Sequence, residues 1–206
     1  MTKKFAFDID GTIANFMECF IFKYNKEYNS NKKTEDVIKW DLSSLFFNDN
    51  KERFTAFMHE ALAGIGTSLP KLYDGAFEFL SQCYKMYYPE PLLFITHRPF
   101  IPEIVEFTKK FTEVNFLNNG ICAKLEFCNG NKLDVLGKYR ISNFCDDKVQ
   151  DFVNYESNID NLKNTNVKLY VPVRPWNENL LMKIGNKHPN ITIFSSWKVL
   201  YEYIFC

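Results

Sequence analysis

Two pairs of carboxylates in this sequence each follow a short apolar segment, and their spacing could support metal-dependent phosphate chemistry. Asp8 and Asp10 end the stretch FAFDID, and Asp146 and Asp147 end the stretch ISNFCDD. Residues two apart in a strand point to the same face, so Asp8 and Asp10 begin on one side. Four converging carboxylates would repel one another, and Mg²⁺, which binds carboxylates together with phosphate oxygens and waters, would relieve that repulsion. The pattern therefore predicts a Mg²⁺ site.

The ordinary alternative is that the string DIDGT at 8–12 is only a strand that ends in a polar turn. Such a string should occur by chance in roughly one chain of this length in several hundred. Its position after the first predicted strand, and a second strand that ends on two aspartates, favour the metal site. Gly11 would permit the tight turn that follows the carboxylates.

The elements that must position these carboxylates alternate along most of the chain. Strands are predicted at 4–8, 92–96, 123–127, 141–147, 167–173 and 191–195, and helices at 13–28, 52–63, 75–87, 103–111 and 132–139. This alternation predicts an α/β fold with a doubly wound parallel sheet and helices on both faces. Ligands of such sheets bind beyond the carboxyl ends of the strands, where both aspartate pairs are expected.

Composition and charge narrow the class of protein. The 206 residues are 46% hydrophobic, with 21 Phe and 11 Tyr, which suits one domain or a core domain with a small insert. Lys plus Arg equals Asp plus Glu at 25 each, with no basic run, so neither a nucleic-acid partner nor a membrane surface is expected. The six cysteines lack Cys-x-x-Cys spacing and are predicted to be reduced thiols. No apolar signal or membrane-spanning run is found, so a cytoplasmic location is expected.

Four motifs occur in the order typical of the haloacid dehalogenase (HAD) superfamily of phosphohydrolases, which the sequence resembles. They are DIDGT at 8–12, Thr96 at the end of LLFIT, Lys132 in NGNKLDVL, and the pair Asp146-Asp147. Longer stretches resemble the 5′(3′)-deoxyribonucleotidase-like group: DIDGTIANFMECFIFKYNKEY, ITHRP, KLDVLGKYRISNFCDD, VPVRPWNEN and SSWKVLYEYI. The resemblance implies a HAD-like Rossmannoid core at 1–12 and 75–206, and a small helical cap inserted after the first strand at 13–74.

The resemblance also implies roles for the first two motifs. Asp8 would attack phosphorus and form an aspartyl-phosphate. Asp10 would protonate the leaving oxygen and later take a proton from water, while its backbone carbonyl contacts the metal. Thr96 would donate a hydrogen bond to a phosphoryl oxygen.

A lysine and the second aspartate pair complete the implied site. Lys132 would neutralise charge on the phosphoryl oxygens. Lys124 and Lys138 are alternatives to it, but Lys132 follows the turn at 129–131 and can face the crevice. Of Asp146 and Asp147, one would bind Mg²⁺ and the other would orient a water or the lysine, and Asp147 is favoured as the ligand.

Substrate contacts are assigned to residues near the motifs and in the helical insert. Arg98 could reach a phosphate or cap the end of its strand. Phe16 lies just past the catalytic turn and could stack on a base, with Trp40 or Phe46 on the other side. The alternative for Trp40, Phe46 and Phe47 is that they form a small core of the insert.

The sequence therefore predicts a Mg²⁺-dependent phosphomonoesterase, with nucleoside 5′-monophosphates, deoxy forms first, as the leading substrates. One alternative is a phosphatase of the same chemistry for another small phosphate or for a polynucleotide end. Another is a catalytically idle relative that serves as a binding or regulatory module. The expected partner is a small phosphate ester, and a homodimer is left open.

Overall fold

The computed structural model describes residues 4–39, 41–154, 159–163, 165–184 and 188–206. The predicted substrate contact Trp40 lies outside the described residues. Within those ranges, no helix has both the length and the apolar character needed to cross a bilayer.

Six parallel strands form the central sheet, which confirms the predicted fold class. In order across the sheet they are β3 (Ala123–Phe127), β2 (Leu92–Thr96), β1 (Phe5–Phe7), β4 (Asn143–Cys145), β7 (Lys168–Pro172) and β8 (Ile191–Phe194). The chain builds outward from β1 on one side and then returns to continue on the other. The strand order therefore reverses between β1 and β4, and such a switch point leaves a crevice at the carboxyl edge.

Helices cover both faces of this sheet: α4 (Ala76–Tyr87), α5 (Pro102–Asn115) and α8 (Trp197–Phe205) on one, α6 (Lys132–Lys138) and α7 (Glu178–Ile184) on the other. The remaining helices are α1 (Phe16–Tyr28), α2 (Leu42–Phe47) and α3 (Lys51–Leu62). An antiparallel pair, β5 (Val153–Asn154) and β6 (Ile159–Asp160), follows β4. The sequence did not predict this pair, because strands of two residues show no detectable alternation.

Strand β1 is short and buried on both faces, as expected at the centre of a parallel sheet. Phe5 and Phe7 pack on one face against Phe79 of α4, with ring centroids 5.7 and 6.2 Å apart. Ala6 packs on the opposite face within a second apolar cluster. This double burial fixes the end of β1, and so places Asp8, the next residue, at the carboxyl edge.

Helices α1, α2 and α3 pack on one another around an aromatic cluster. Its buried aromatic members along these helices are Phe16, Phe20, Phe46, Phe47 and Phe57. Phe46 and Phe47 therefore belong to a core, which confirms the structural interpretation of these two residues. The cluster also includes Ile104 and Trp176, from outside 13–74, so the boundaries of the cap stay a prediction.

The two chain segments that connect α1–α3 to the sheet lie side by side. Ala14 forms an antiparallel bridge with Leu72. Beside this bridge, the N–H of Tyr73 donates to the carbonyl of Ile13 at 3.0 Å. The helical segment thus leaves and rejoins the rest of the chain at one place, next to the turn that follows β1.

Candidate active site

Of the predicted site residues that the structure describes, all except Phe46 line one cavity at the carboxyl edge of the sheet. The cavity has a volume of about 280 Å³. Its lining includes Asp8, Asp10, Phe16, Thr96, Arg98, Lys132, Asp146 and Asp147. The end of β1, the end of β2, the start of α6 and the end of β4 therefore contribute to a single site.

The turn after β1 brings the first and fourth motifs into contact. Gly11 has a φ of +77°, a left-handed conformation that favours glycine, and a Cβ there would lie 2.4 Å from Asp147 Oδ2. The Thr12 hydroxyl donates to Asp147 Oδ1 at 3.0 Å and accepts from the Asp147 N–H at 3.0 Å. Glycine is therefore needed at position 11 both for the conformation and for the close approach.

Lys132 lies between the two aspartate pairs. It is the first residue of α6. The side chain of Asn131 caps the N-terminus of this helix by accepting a hydrogen bond from the Leu133 N–H at 2.9 Å. Lys132 Nζ lies 2.8 Å from Asp8 Oδ1 and 2.7 Å from Asp146 Oδ2. Burial opposes the charge on this amine, but the two carboxylates raise its pKa above the usual value. Lys132 is thus a buried ammonium shared by two carboxylates.

The alternative lysines stand away from these carboxylates. Lys124 lies over the ring of Tyr139, 4.6 Å from its centroid. Lys138 is exposed and 3.5 Å from Glu126. Of the three candidates, the structure brings Lys132 to the site.

Without a bound cation, the buried carboxylates of the site are electrostatically unfavourable for the folded protein. Burial, followed by the charge of Asp146, raises the pKa of Asp147 to about 7. The pKa of Asp8 is also raised well above its usual value, mainly by burial and further by the neighbouring aspartates, although Lys132 lowers it. Both carboxylates are therefore poorly compensated by the side chains around them.

The arrangement fits a divalent cation. Asp8, Asp146 and Asp147 are all buried, and each offers a carboxylate oxygen within 4.8 Å of the others. Lys132 contacts Asp8 and Asp146 of these three, and the three carboxylates when ionised would exceed its one positive charge by two. An ion such as Mg²⁺, which prefers oxygen ligands, matches both this charge and this donor set.

Asp10 is held by Arg98. The guanidinium donates from Nε to Asp10 Oδ2 at 2.8 Å and from Nη2 to Asp10 Oδ1 at 2.6 Å, while Nη1 donates to the Thr108 hydroxyl at 2.9 Å. The Thr96 hydroxyl accepts from the Arg98 N–H at 3.2 Å. Each side-chain nitrogen of Arg98 thus has a protein partner, an arrangement that the sequence did not predict, and contact with a phosphate stays a prediction.

The loop after β7 supplies site residues that the sequence analysis missed. The indole N–H of Trp176 donates to Asp147 Oδ2 at 2.7 Å. The Asn177 amide donates to the carbonyls of Asp147 and Pro172 at 2.8 and 3.0 Å. The available signal was the position of VPVRPWNEN at the carboxyl end of a predicted strand, where functional loops of parallel sheets lie.

Arg174, in the same loop, supports the catalytic turn. Its Nε donates to the Gly11 carbonyl at 2.7 Å, and its Nη2 donates to the Thr12 carbonyl at 3.1 Å. The guanidinium lies 3.7 Å from the centre of the Tyr73 ring. One side chain therefore connects the turn after β1 to the segment that returns from the helical insert.

The wall of the cavity opposite the carboxylates is apolar. Phe16, Leu42, Met58 and Leu62 contribute to it from α1, α2 and α3. The charged and polar lining residues at the strand ends form the floor of the cavity: Asp8, Asp10, Thr96, Arg98, Lys132, Asp146 and Asp147. Phe16 lies beside this floor, since its ring centre is 5.8 Å from Arg98 Cζ. The cavity thus combines an ionic floor with an apolar wall.

Comparison with known proteins agrees with this geometry. The sequence matches a family model described as 5′ nucleotidase, deoxy (pyrimidine), cytosolic type C protein, over residues 3–178. No curated protein sequence matches the chain.

Solved structures with a similar fold include three proteins of low sequence identity. A candidate phosphoglycolate phosphatase from Lactobacillus delbrueckii subsp. bulgaricus has a TM-score of 0.62 and 13% identity, over 98% of each chain. A HAD hydrolase, family IA, variant 3, from Entamoeba histolytica has a TM-score of 0.54 and 14% identity, over 96% of this chain and 95% of that one. A HAD-superfamily hydrolase from Ehrlichia chaffeensis has a TM-score of 0.51 and 13% identity, over 99% and 98%.

Proposed function

The chain belongs to the 5′ nucleotidase, deoxy (pyrimidine), cytosolic type C family and is a phosphoric monoester hydrolase of the HAD superfamily, and from this we propose that it hydrolyses nucleoside monophosphates, deoxy forms first, with Mg²⁺ and through an aspartyl-phosphate. The observation that carries the proposal is the cavity itself. Its ionic floor suits a phosphate, and its apolar wall suits a base. Membership of this family sets aside the alternative of a catalytically idle relative.

In the first half of the proposed reaction, the carboxylate of Asp8 attacks phosphorus. A bond forms between its oxygen and phosphorus, and the bond from phosphorus to the ester oxygen breaks. The carboxyl group of Asp10 gives its proton to the leaving oxygen, a step that requires it to be released from Arg98, which binds both of its oxygens in the structure. In the second half, Asp10 takes a proton from water, the water oxygen attacks phosphorus, and the Asp8 carboxylate is restored as phosphate leaves.

Two residues of the floor stabilise the charge that develops on the phosphoryl oxygens. Lys132 is already charged and fixed by two carboxylates, so its position changes little during the reaction. Thr96, buried at the end of β2, holds its hydroxyl at the same edge. Such preorganised donors commonly make the largest contribution to catalysis.

The residues proposed to hold Mg²⁺ are Asp8, the backbone carbonyl of Asp10, and Asp147. Asp146 uses Oδ2 for Lys132 and Oδ1 for the Lys148 N–H at 2.9 Å, which supports a role in orienting the lysine. When bound, the ion supplies positive charge that polarises the phosphoryl group.

Trp176 should fix the orientation of Asp147 toward the metal. Trp176→Phe removes the N–H that donates to Asp147 Oδ2 at 2.7 Å. Partners of metal ligands typically contribute about 10–100-fold to metal affinity, so the Mg²⁺ concentration for half-maximal activity should rise by about that factor. Calorimetric titration of Mg²⁺ into the protein measures the same loss without turnover.

Trp197→Phe is the matched control. Trp197 is also buried, but its Nε1 has no hydrogen-bond partner among the described residues. The same substitution there should leave the Mg²⁺ requirement unchanged. Equal shifts in the two variants would contradict a specific role for Trp176.

The choice of nucleotides as substrates is tested at Phe16. Base–aromatic stacking contributes roughly 1–3 kcal/mol per base, so Phe16→Ala should lower kcat/KM on nucleoside monophosphates by about tenfold or more. Hydrolysis of glycerol phosphate, which has no ring to stack, should barely change. Phe16→Leu is a second variant that keeps an apolar side chain in the buried cluster and lacks only the ring.

Two results would overturn the nucleotide proposal. Equal losses on both substrates in both variants would mean that Phe16 only supports the fold. A wild-type enzyme that hydrolyses glycerol phosphate as well as nucleotides would favour the phosphatase for another small phosphate.

A further inference from the structure

A second cavity, of about 330 Å³, adjoins the active cavity. His97, Lys132 and Lys148 line both of them. Asp151, from the segment after β4, lines the second cavity but not the first. The proposed reaction assigns no role to the side chains of His97, Lys148 and Asp151.

The surroundings of His97 fix the tautomer of its neutral ring. Nε2 lies 3.0 Å from the carbonyl oxygen of Gly130, which can only accept, so Nε2 carries the proton. Nδ1 of the neutral ring then holds a lone pair, and it lies 3.8 Å from Oδ2 of Asp151. Two acceptors cannot form a hydrogen bond, so the neutral ring leaves this carboxylate oxygen without a donor.

The two oxygens of Asp151 have different surroundings. Oδ1 lies 2.9 Å from the ammonium nitrogen of Lys148. Oδ2 is buried and has no hydrogen-bond partner among the described residues. A buried acceptor without a donor is unfavourable, and Nδ1 of His97 becomes a donor for it when the ring takes up a proton.

We propose that His97 is a proton-dependent positioning residue for phosphate binding. When Nδ1 takes up a proton from solvent, it donates to Asp151 Oδ2, and this carboxylate is then shared between two cations. Lys148 is held less firmly, and its ammonium, which lines the active cavity, binds the phosphate group of the substrate. With a neutral ring, Asp151 holds and neutralises Lys148. The inference rests on the phosphate-binding part of the proposed function and is independent of the nucleotide.

The charges that face His97 determine the pH at which this change takes place. Burial lowers the pKa of the ring, and the charge of Lys132 lowers it further. The Gly130 carbonyl, Asp151 and Asp146 act in the opposite direction, and the net shift of the pKa is downward. The ring is therefore neutral at about pH 8 and takes up its proton as the pH falls toward about 5.

Inhibition by sulfate tests the proposal, because sulfate resembles phosphate and does not change its charge over this range. Glycerol phosphate is the substrate, so that no preference for nucleotides is needed. His97→Asn keeps a donor for the Gly130 carbonyl but cannot titrate. Between about pH 8 and pH 5.5, the affinity for sulfate should rise about two- to fivefold more in the wild type than in this variant. Protonation of Asp147 affects both proteins alike, so the comparison isolates His97.

Asp151→Asn distinguishes this proposal from a purely structural role. The change removes the charge that holds Lys148, so sulfate should bind about two- to fivefold more tightly than to the wild type at about pH 8. Loss of a merely structural side chain would weaken binding instead. Lys148→Met should weaken sulfate binding at both pH values, because the proposed ligand of the anion is lost.

Proton NMR of the imidazole rings provides a readout that does not depend on turnover. The signal that is missing from His97→Asn belongs to His97. In Asp151→Asn this signal should titrate at a lower pH than in the wild type, because the carboxylate that favours the charged ring is absent. In Lys148→Met it should titrate at a higher pH, because Asp151 no longer has a competing cation.

His59→Asn is the matched control, since His59 lies on α3 and lines neither cavity. It should follow the wild type in sulfate inhibition at every pH. The inference is overturned if His97→Asn and the wild type show the same pH dependence, if Asp151→Asn binds sulfate more weakly at about pH 8, or if the titration of His97 is unchanged in Asp151→Asn. A wild type that hydrolyses no phosphate ester would contradict the proposed function, while the NMR titration would still decide on His97.

Discussion

Asp8→Asn is expected to abolish turnover while the protein stays folded. The amide nearly preserves the shape of the side chain but cannot act as the nucleophile, so kcat should fall by more than about a thousandfold. The measurement is hydrolysis of a nucleoside monophosphate with saturating Mg²⁺. Asp134→Asn makes the same change at an exposed position of α6 and should leave kcat unchanged.

The stability of Asp8→Asn separates chemistry from folding. Burial raises the pKa of Asp8 in the folded protein, so its ionised form destabilises the folded state at neutral pH. Lys132 keeps Asp146 as a partner after the change. In metal-free buffer, the unfolding temperature should therefore equal or exceed that of the wild type. Residual activity above about a tenth of wild type would contradict the covalent mechanism.

Removal of divalent ions is expected to stop hydrolysis completely, and Mg²⁺ should restore it. Ca²⁺ should not substitute and should inhibit in competition with Mg²⁺, because its looser and higher coordination would misplace the attacking carboxylate. Initial rates in chelator, and then with each ion in excess, measure this. Full activity in excess chelator would contradict the proposed metal site.

Thermal unfolding provides a second measure of the metal that does not depend on turnover. Mg²⁺ should raise the unfolding temperature, because it compensates the excess negative charge of Asp8, Asp146 and Asp147. The pKa of Asp147 is raised to about 7, so its carboxylate takes up a proton below that pH and binds metal less well. The rise should therefore be larger at about pH 8 than at about pH 6. A rise that is the same at both values, or absent, would contradict this account.

The floor of the site could be predicted because it depends on strand ends and residue spacing. Asp8 and Asp10 follow one buried strand, Asp146 and Asp147 follow another, and parallel strands end at the same edge. Lys132 could be preferred over Lys124 and Lys138 as the lysine of the site because a turn precedes it. These inferences need only the direction of each strand, which alternation along the chain supplies.

The partners of these residues could not be predicted, because they depend on how distant segments pack. Arg98 meets Asp10 because α5 supports its guanidinium through Thr108, and nothing in ITHRP specifies that direction. Trp176 reaches Asp147, and Arg174 reaches the turn after β1, from a loop after the fifth strand of the sheet in chain order. Their side-chain directions follow from the path of that loop, which local sequence patterns do not encode.

The bridge between Ala14 and Leu72 has a consequence for how such enzymes can diverge in evolution. For the folding of the sheet, the segment between Ala14 and Leu72 acts as one loop, because the bridge holds its two ends together. The entropic cost of closing a flexible loop grows only with the logarithm of its length, by about 0.6 kcal/mol for each doubling. The length of this segment can therefore change at little entropic cost to the sheet, provided that the contact of its helices with Trp176, which holds Asp147, is kept. Since Phe16, Leu42, Met58 and Leu62 of this segment line the cavity, we expect changes there to alter the proposed substrate preference while the carboxylates stay in place.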